Sequence, residues 1–312
     1  MDGMNLYTDQ ALTTFSQAWQ NDDADLIIPK LLPRIPVIKN SGTFPIWGKD
    51  ALIIQPDLTR TGKAKTREIG LNRSTGTWGP LTEKALKMFI DNDQYRLYPT
   101  VFEPEAAGVN ILNKQMALNE EYTGANVLTN PAVITNNIAL TSTNNFSNTS
   151  VDPIKTITDQ IQLFQKSAFK APNTLAMGQT VWYALVNHPA VIERFKYSQA
   201  GIVSMAEIMR CFEPYGITQI LIGKAQGTVS TTENAADTSY EYLWGDNLLI
   251  TYVTPTPGLM EVNGGYTLEI PTEKYVDKWP ERDPKGNYIR NNDYYLQVIF
   301  STDVYYLMTN CL

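Results

Sequence analysis

Histidine and cysteine are almost missing from this chain: one histidine, His188, and two cysteines, Cys211 and Cys311. A zinc centre needs three or four ligands, mostly His and Cys, at short spacing. Cysteines 100 residues apart and a lone histidine do not supply one. No disulfide follows from that spacing either, and two reduced, buried thiols are expected. His188 stands between Asn187 and Pro189, at a helix end, where histidine commonly satisfies terminal carbonyls. No nucleophile and orienting acid accompany it as they would in a catalytic triad. Gly62-Lys63 and Gly223-Lys224 lack the remaining residues of a phosphate loop, and no calcium loop of alternating acids is present. No catalytic residue, metal or cofactor is expected. Long apolar runs are missing as well. None approaches the roughly 20 residues of a membrane helix. The stretch from Met1 to Gln20 has neither the basic start nor the apolar block of a signal peptide, so synthesis in the cytoplasm is expected, with no membrane partner. A surplus of basic charge is also lacking. The net charge is −7, so a direct grip on nucleic acid is not expected.

What the chain does have is core material, with 43% hydrophobic residues over 312, enough for one or two domains. Its charge is unevenly spread. Arg60, Lys63, Lys65, Arg67 and Arg73 face only Glu68 within their stretch, a local net of +4 that leaves −11 on the rest. A basic finger on an acidic body suits attraction between copies of one chain. These five residues are the candidate contact site.

Residues 1–40 read as an extended arm. A short helix is expected at Asp9 to Trp19, then apolar anchors Leu26-Ile27-Ile28 and Leu31-Leu32 among Pro29, Pro33 and Pro36, which block a long helix. Residues 41–80 read as a β-hairpin with strands at Phe44 to Ile54 and Thr66 to Asn72, too poor in alternating apolar residues to build its own core. Helices are expected at Leu81 to Asp91 and at Pro104 to Leu128. Proline in the first turn and acids at the positive end mark the latter. Ile111, Leu118, Tyr122 and Ala125 share one of its faces, with Val109, Leu112 and Met116 beside it. Asp152-Pro153 caps a helix with the stripe Ile154, Ile157, Ile161, Phe164 and Ala168. Further helices are expected near Gly178 to Asn187, at Ala190 to Tyr197 and after the capping box Ser204–Glu207, with Met205, Ile208, Met209 and Phe212 inward. The remainder reads as strands at Ile217 to Ile222, Leu248 to Val253, Gly265 to Ile270, Tyr288 to Ile289, Tyr294 to Phe300 and Val304 to Met308. Elements that mix without regular alternation indicate an α+β fold.

An ordered series of short segments carries a resemblance. Ala171-Pro172-Asn173-Thr174-Leu175-Ala176-Met177-Gly178 leads into Val181-Trp182-Tyr183-Ala184-Leu185. Asn187-His188-Pro189 and Ile192-Glu193-Arg194-Phe195-Lys196-Tyr197 follow, then the helix capped by Ser204, Ile222-Gly223-Lys224-Ala225 and Trp244-Gly245-Asp246-Asn247. In this order the chain resembles the major capsid proteins of tailed bacteriophages, the Hong Kong 97-like fold. The resemblance implies an N-terminal arm (1–40), an extended loop (41–80), a peripheral domain (81–150) with a spine helix at 104–128, an axial domain (151–275) and closing strands of the peripheral domain (276–312). It implies an icosahedral shell of hexamers and pentamers around double-stranded DNA, held without sequence-specific binding. Scaffold, portal and decoration proteins are further partners it implies. The arm and hairpin would then be ordered by sister copies. Some relatives cross-link a loop lysine to an asparagine on a neighbour, roles open to Lys63 or Lys65 and to Asn291 or Asn292. Two other readings stay open: an encapsulin-like nanocompartment shell on the same fold, and a hydrolase with an unrecognised carboxylate pair.

Overall fold

The computed structural model describes residues 7–8, 25–47, 54, 59–60, 62, 73–93, 104–196, 203–227, 241–256 and 263–312. In chain order the strands are β1 (Tyr7–Thr8), β2 (Arg34–Pro36), β3 (Gly42–Trp47), β4 (Arg73–Trp78), β5 (Thr82–Asp91), β6 (Asn137–Ala139), β7 (Thr174–Gly178), β8 (Gln219–Gly223), β9 (Gln226–Gly227), β10 (Glu241–Tyr242), β11 (Leu248–Thr251), β12 (Gly265–Glu269), β13 (Tyr275–Arg282), β14 (Lys285–Ile299) and β15 (Tyr305–Thr309). The helices are α1 (Ile28–Leu31), α2 (Pro104–Leu128), α3 (Pro153–Ala168), α4 (Gln179–Asn187), α5 (Pro189–Phe195) and α6 (Met205–Phe212). Among the described residues, no helix is long and apolar enough to cross a membrane.

The six-stranded sheet is organised by β14. β5 runs antiparallel along one side of it, from Thr82 opposite Tyr295 to Asp91 opposite Gly286. Along the other side β12 and β13 follow one another, interrupted by a 3-10 turn at Pro271–Glu273. β1 pairs with β13 and β2 lies parallel to β12. The 25-residue helix α2 spans about 37 Å. Its Val109 and Leu112 pack on Ile90, Val276 and Ile289 of the sheet.

The second sheet has the order β6-β15-β11-β7-β8. Its strands are short and wholly apolar at the centre, as in Leu248-Leu249-Ile250, because elements cover both faces. On one side lie α3 to α6, whose Ile154, Ile157, Ile161, Phe164, Ile208 and Phe212 enter the largest core. The Asp152 carboxylate accepts from the Ile154 and Lys155 amides, and the reciprocal Ser204–Glu207 cap closes α6. A third core lies between α2 and the other face, where Ile27, Ile28, Leu31 and Leu32 meet Leu128, Trp244, Leu249 and Leu307.

Several expectations change. Leu81 to Asp91 is not a helix: Thr82–Asp91 is a strand paired along its whole length with β14. Its Glu, Lys, Ala, Leu and Met are good helix formers, but tertiary pairing outweighs that preference. The hairpin starts as expected, yet β3 pairs with β4, and Thr66 to Asn72 lies outside the described residues. Aromatic rings over glycines fit this register. A Cβ on Gly76 would fall 2.4 Å from the Phe44 ring, and one on Gly42 2.3 Å from Trp78. Helix α2 has the expected limits, and Val109, Leu112 and Ala125 are buried as expected, but Ile111 is 45% exposed and Gly108, Glu120, Glu121 and Leu128 turn inward. Met205 in α6 is likewise exposed. The two stretches Tyr288 to Ile289 and Tyr294 to Phe300 are one strand, since Arg290, Asn291 and Asp293 between them find partners in Asp277, Asn113 and Arg34. The arm is not free over 25–37. Ile27, Ile28, Leu31 and Leu32 are 0–1% exposed within their own subunit. The expected helix from Asp9 to Trp19 lies outside the described residues. The sheets do not follow the linear division of the chain: β12 joins the six-stranded sheet, while β6 and β15 join the five-stranded one.

Candidate assembly interface

The basic finger enters the described structure at only two points. Arg60 is exposed, and Arg73 opens β4 opposite Trp47. Lys63, Lys65 and Arg67 lie outside the described residues, so these positions are not brought together here. The hairpin is seated by Phe44 and by Trp78, which packs against Ile35, Val37, Leu81, Tyr266 and Leu268. The ring of Phe44 stacks on Phe300 with centroids 4.1 Å apart, and Phe300 meets Tyr266 edge-on. Ile38, just before β3, is 99% exposed, and Ile54 is 87% exposed.

Residues 25–37 form a strap held by two neighbouring acids of α2. Glu121 is fully buried. One of its carboxylate oxygens accepts from the Ile27 and Ile28 amides at 3.0 and 2.9 Å, and the other from the Trp244 indole at 2.7 Å. Burial raises its pKa in spite of those three donors. The Cδ1 of Ile28 lies 2.6 Å from where a Cβ on Gly124 would stand, so the strap needs glycine there to approach the helix. Glu120, the next acid, addresses the other sheet. Arg34 of the strap donates to Glu120 at 2.7 Å, Glu269 at 2.6 Å and Asp293 at 3.1 Å, and its guanidinium lies 5.2 Å from the Tyr295 ring centre. Burial alone would lower the pKa of Arg34, but Glu120 and Asp293 outweigh it, so the cation is held more firmly than in water. Lys274 stands 3.5 Å from Asp293, and burial pulls its pKa down. Sequence reasoning missed this pair of acids. The available signal is that Glu121 shares a helical stripe with Ala125 and Leu128, and a charge in a buried stripe requires buried donors.

The remaining chemistry is structural. His188 Nδ1 accepts from the Ala190 amide, and Nε2–H donates to the Asn148 carbonyl at 3.2 Å; the ring thus opens α5 rather than closing α4. Cys311 is buried, which pushes its thiol up to about 12, and Cys211 is half-buried; neither is bonded to the other. Asn291 donates to Asn113 at 2.6 Å and Asn292 is fully buried, so neither is presented to a neighbour's lysine in this fold. Among the described residues no cluster of His, Cys, Asp and Glu is arranged to hold a metal.

A family model for phage major capsid protein E matches residues 120–300, more than half of the chain. The chain belongs to that family. It is 26% identical to the major capsid protein of Burkholderia phage BcepMu over 310 residues, covering 96% of this chain and 95% of the relative. Among solved structures, a phage-related protein of Bordetella bronchiseptica RB50 superposes with a TM-score of 0.77 at 22% identity, covering 99% of both chains. The capsid protein of cyanophage P-SCSP1u gives 0.56 at 12% identity, over 89% of this chain and 86% of the other. The fold is the Hong Kong 97-like capsid fold. As a phage major capsid protein, the chain is a structural component of the virion that assembles with copies of itself, and not an enzyme.

Proposed function

We propose that this major capsid protein builds an icosahedral head of hexamers and pentamers around double-stranded DNA, using the finger residues Arg60, Lys63, Lys65, Arg67 and Arg73 to engage an acidic neighbour. The observation that carries the reading is the match to one phage major capsid protein across nearly the full length of both chains. The charge balance supports it. A +4 finger against −11 elsewhere favours contact between copies, and the acidic remainder keeps the inner surface from gripping DNA. In this reading the β14 sheet with α2 is the peripheral domain and α2 its spine, the five-stranded sheet with α3 to α6 is the axial domain, and the β3–β4 hairpin is the base of the extended loop. Synthesis takes place in the host cytoplasm, with scaffold, portal and decoration proteins as further partners.

Expression of the chain alone and with co-expressed phage head proteins, followed by negative-stain microscopy, tests the shell. Closed particles with fivefold vertices are expected. A monodisperse monomer under both conditions overturns the reading. Nucleic acid in heads purified from infected cells separates a DNA container from a protein-filled compartment.

A further inference from the structure

The β14 sheet ends on one side in β5. Among the described residues no strand pairs with its outer edge. The ten residues Thr82–Asp91 contain no proline, and their register with β14 is unbroken by a bulge. Proteins usually blunt such an edge with proline, a bulge, lysines or a covering element, because free amides and carbonyls in a row template pairing with another chain, and of these devices β5 carries Lys84 and Lys87. Met88 and Ile90 turn toward α2. By alternation, Glu83, Ala85, Lys87 and Phe89 share the opposite face. Two of these are already braced: Glu83 accepts from the Tyr294 hydroxyl, and the Lys87 ammonium lies 4.6 Å from the centre of the Tyr288 ring. Both remain exposed, as do Ala85 and, on the other face, Leu86.

This edge is complementary to itself. A twofold axis normal to the sheet pairs residues of like parity in antiparallel strands. Centred on Ala85, it sets Glu83 against Lys87 of the partner subunit twice over, with the smallest side chain of the strand on the axis. Centred on Lys84 or Lys87, it sets lysine on lysine. Centred on Leu86, it opposes no charges. Centred on Phe89, it opposes Lys87 and Asp91, but shortens the paired segment and puts two rings on the axis.

We propose that β5 is a twofold contact of the shell: the β5 edges of two copies pair antiparallel about Ala85, joining their sheets into one. The occupant of the edge is therefore a second copy of this chain, and the inference rests on the shell reading above. Cross-strand opposite charges each add a small increment, and repetition over many copies multiplies it.

Cysteine cross-linking of full-length particles tests it. Directly opposed residues have Cα atoms about 4.5–5.5 Å apart, within disulfide reach. Ala85→Cys in a Cys211→Ser background is expected to give a disulfide dimer under mild oxidation. Asp91→Cys, about 40 Å from its symmetry mate at 3.4 Å per residue, is expected to give none. Particles without an Ala85→Cys dimer, or with equal dimer from Asp91→Cys or Phe89→Cys, overturn the contact and leave the shell reading standing. A chain that forms no particles at all overturns both. In a second arm, Glu83→Lys or Lys87→Glu alone is expected to lower particle yield by about threefold or more, and the double reversal to restore it. A double variant no better than the singles overturns the pairing.

Discussion

The strap and the hairpin lie side by side in the first third of the chain, yet one is owned by its subunit and the other barely is. Ile27, Ile28, Leu31 and Leu32 of the strap are buried within their own fold, with a carboxylate on two of its amides and the Arg34 guanidinium gripped by three acids. Among the described side chains of the β3–β4 hairpin, Phe44 is buried and Trp78 partly so. Both stretches are poor in regular patterning, so patterning alone does not reveal which segment a fold keeps for itself. The partner residues decide it. A segment supplied with buried donors and acceptors from distant strands is internal, and one supplied with ring contacts alone is available to others.

Four experiments break or sharpen that contrast, from the largest cost to the subunit downward. Glu121→Ala strands two backbone amides and an indole in a dry interior; a loss of about 3 kcal/mol is expected by urea denaturation, since buried unpaired donors cost about 1–3 kcal/mol each and relaxation recovers part of it. Gly124→Ala drives a methyl group into Ile28, at about 1–3 kcal/mol for overpacking, and Ile28→Val in the same chain is expected to return part of the loss. Glu121 also leaves a mark on the pH profile. Its pKa is raised in the folded protein, so the fold binds that proton more tightly than the open chain does. Its contribution is complete below the ordinary value of 4.5 and fades as pH rises through the folded value. Urea midpoints measured across that range are expected to fall less steeply for Glu121→Gln than for the parent chain, because the glutamine does not titrate. The smallest cost belongs to the finger: Lys63→Glu, Lys65→Glu and Arg67→Glu together are expected to leave subunit stability within about 0.5 kcal/mol and to reduce particle yield. A comparable loss of subunit stability would show that the finger is held internally, as the strap is.

Much of the helical architecture was legible. Asp152-Pro153 and Ser204–Glu207 announce their helices by local chemistry, and the stripe from Ile154 to Phe164 states its buried face. The limits of α2 were legible too, but its face only in part, because Glu120 and Glu121 turn inward toward partners more than 80 residues away in sequence. β5 was misread for the same reason. Its residues favour a helix, and pairing along the length of β14, where Asn291 bonds Asn113 and Asp293 pairs with Arg34, holds it extended. The finger could be recognised as a charge anomaly, while nothing local indicates which surface receives it.

Glu120 and Glu121 make the long helix a device whose rotational phase is fixed. Successive residues turn by about 100°, which lets one acid serve each sheet. A single residue inserted or deleted between Val109 and Glu120 swings both acids off their targets, whatever the identity of the added residue. Length changes in this family should therefore accumulate on either side of the helix, and its first half should tolerate substitution far better than insertion.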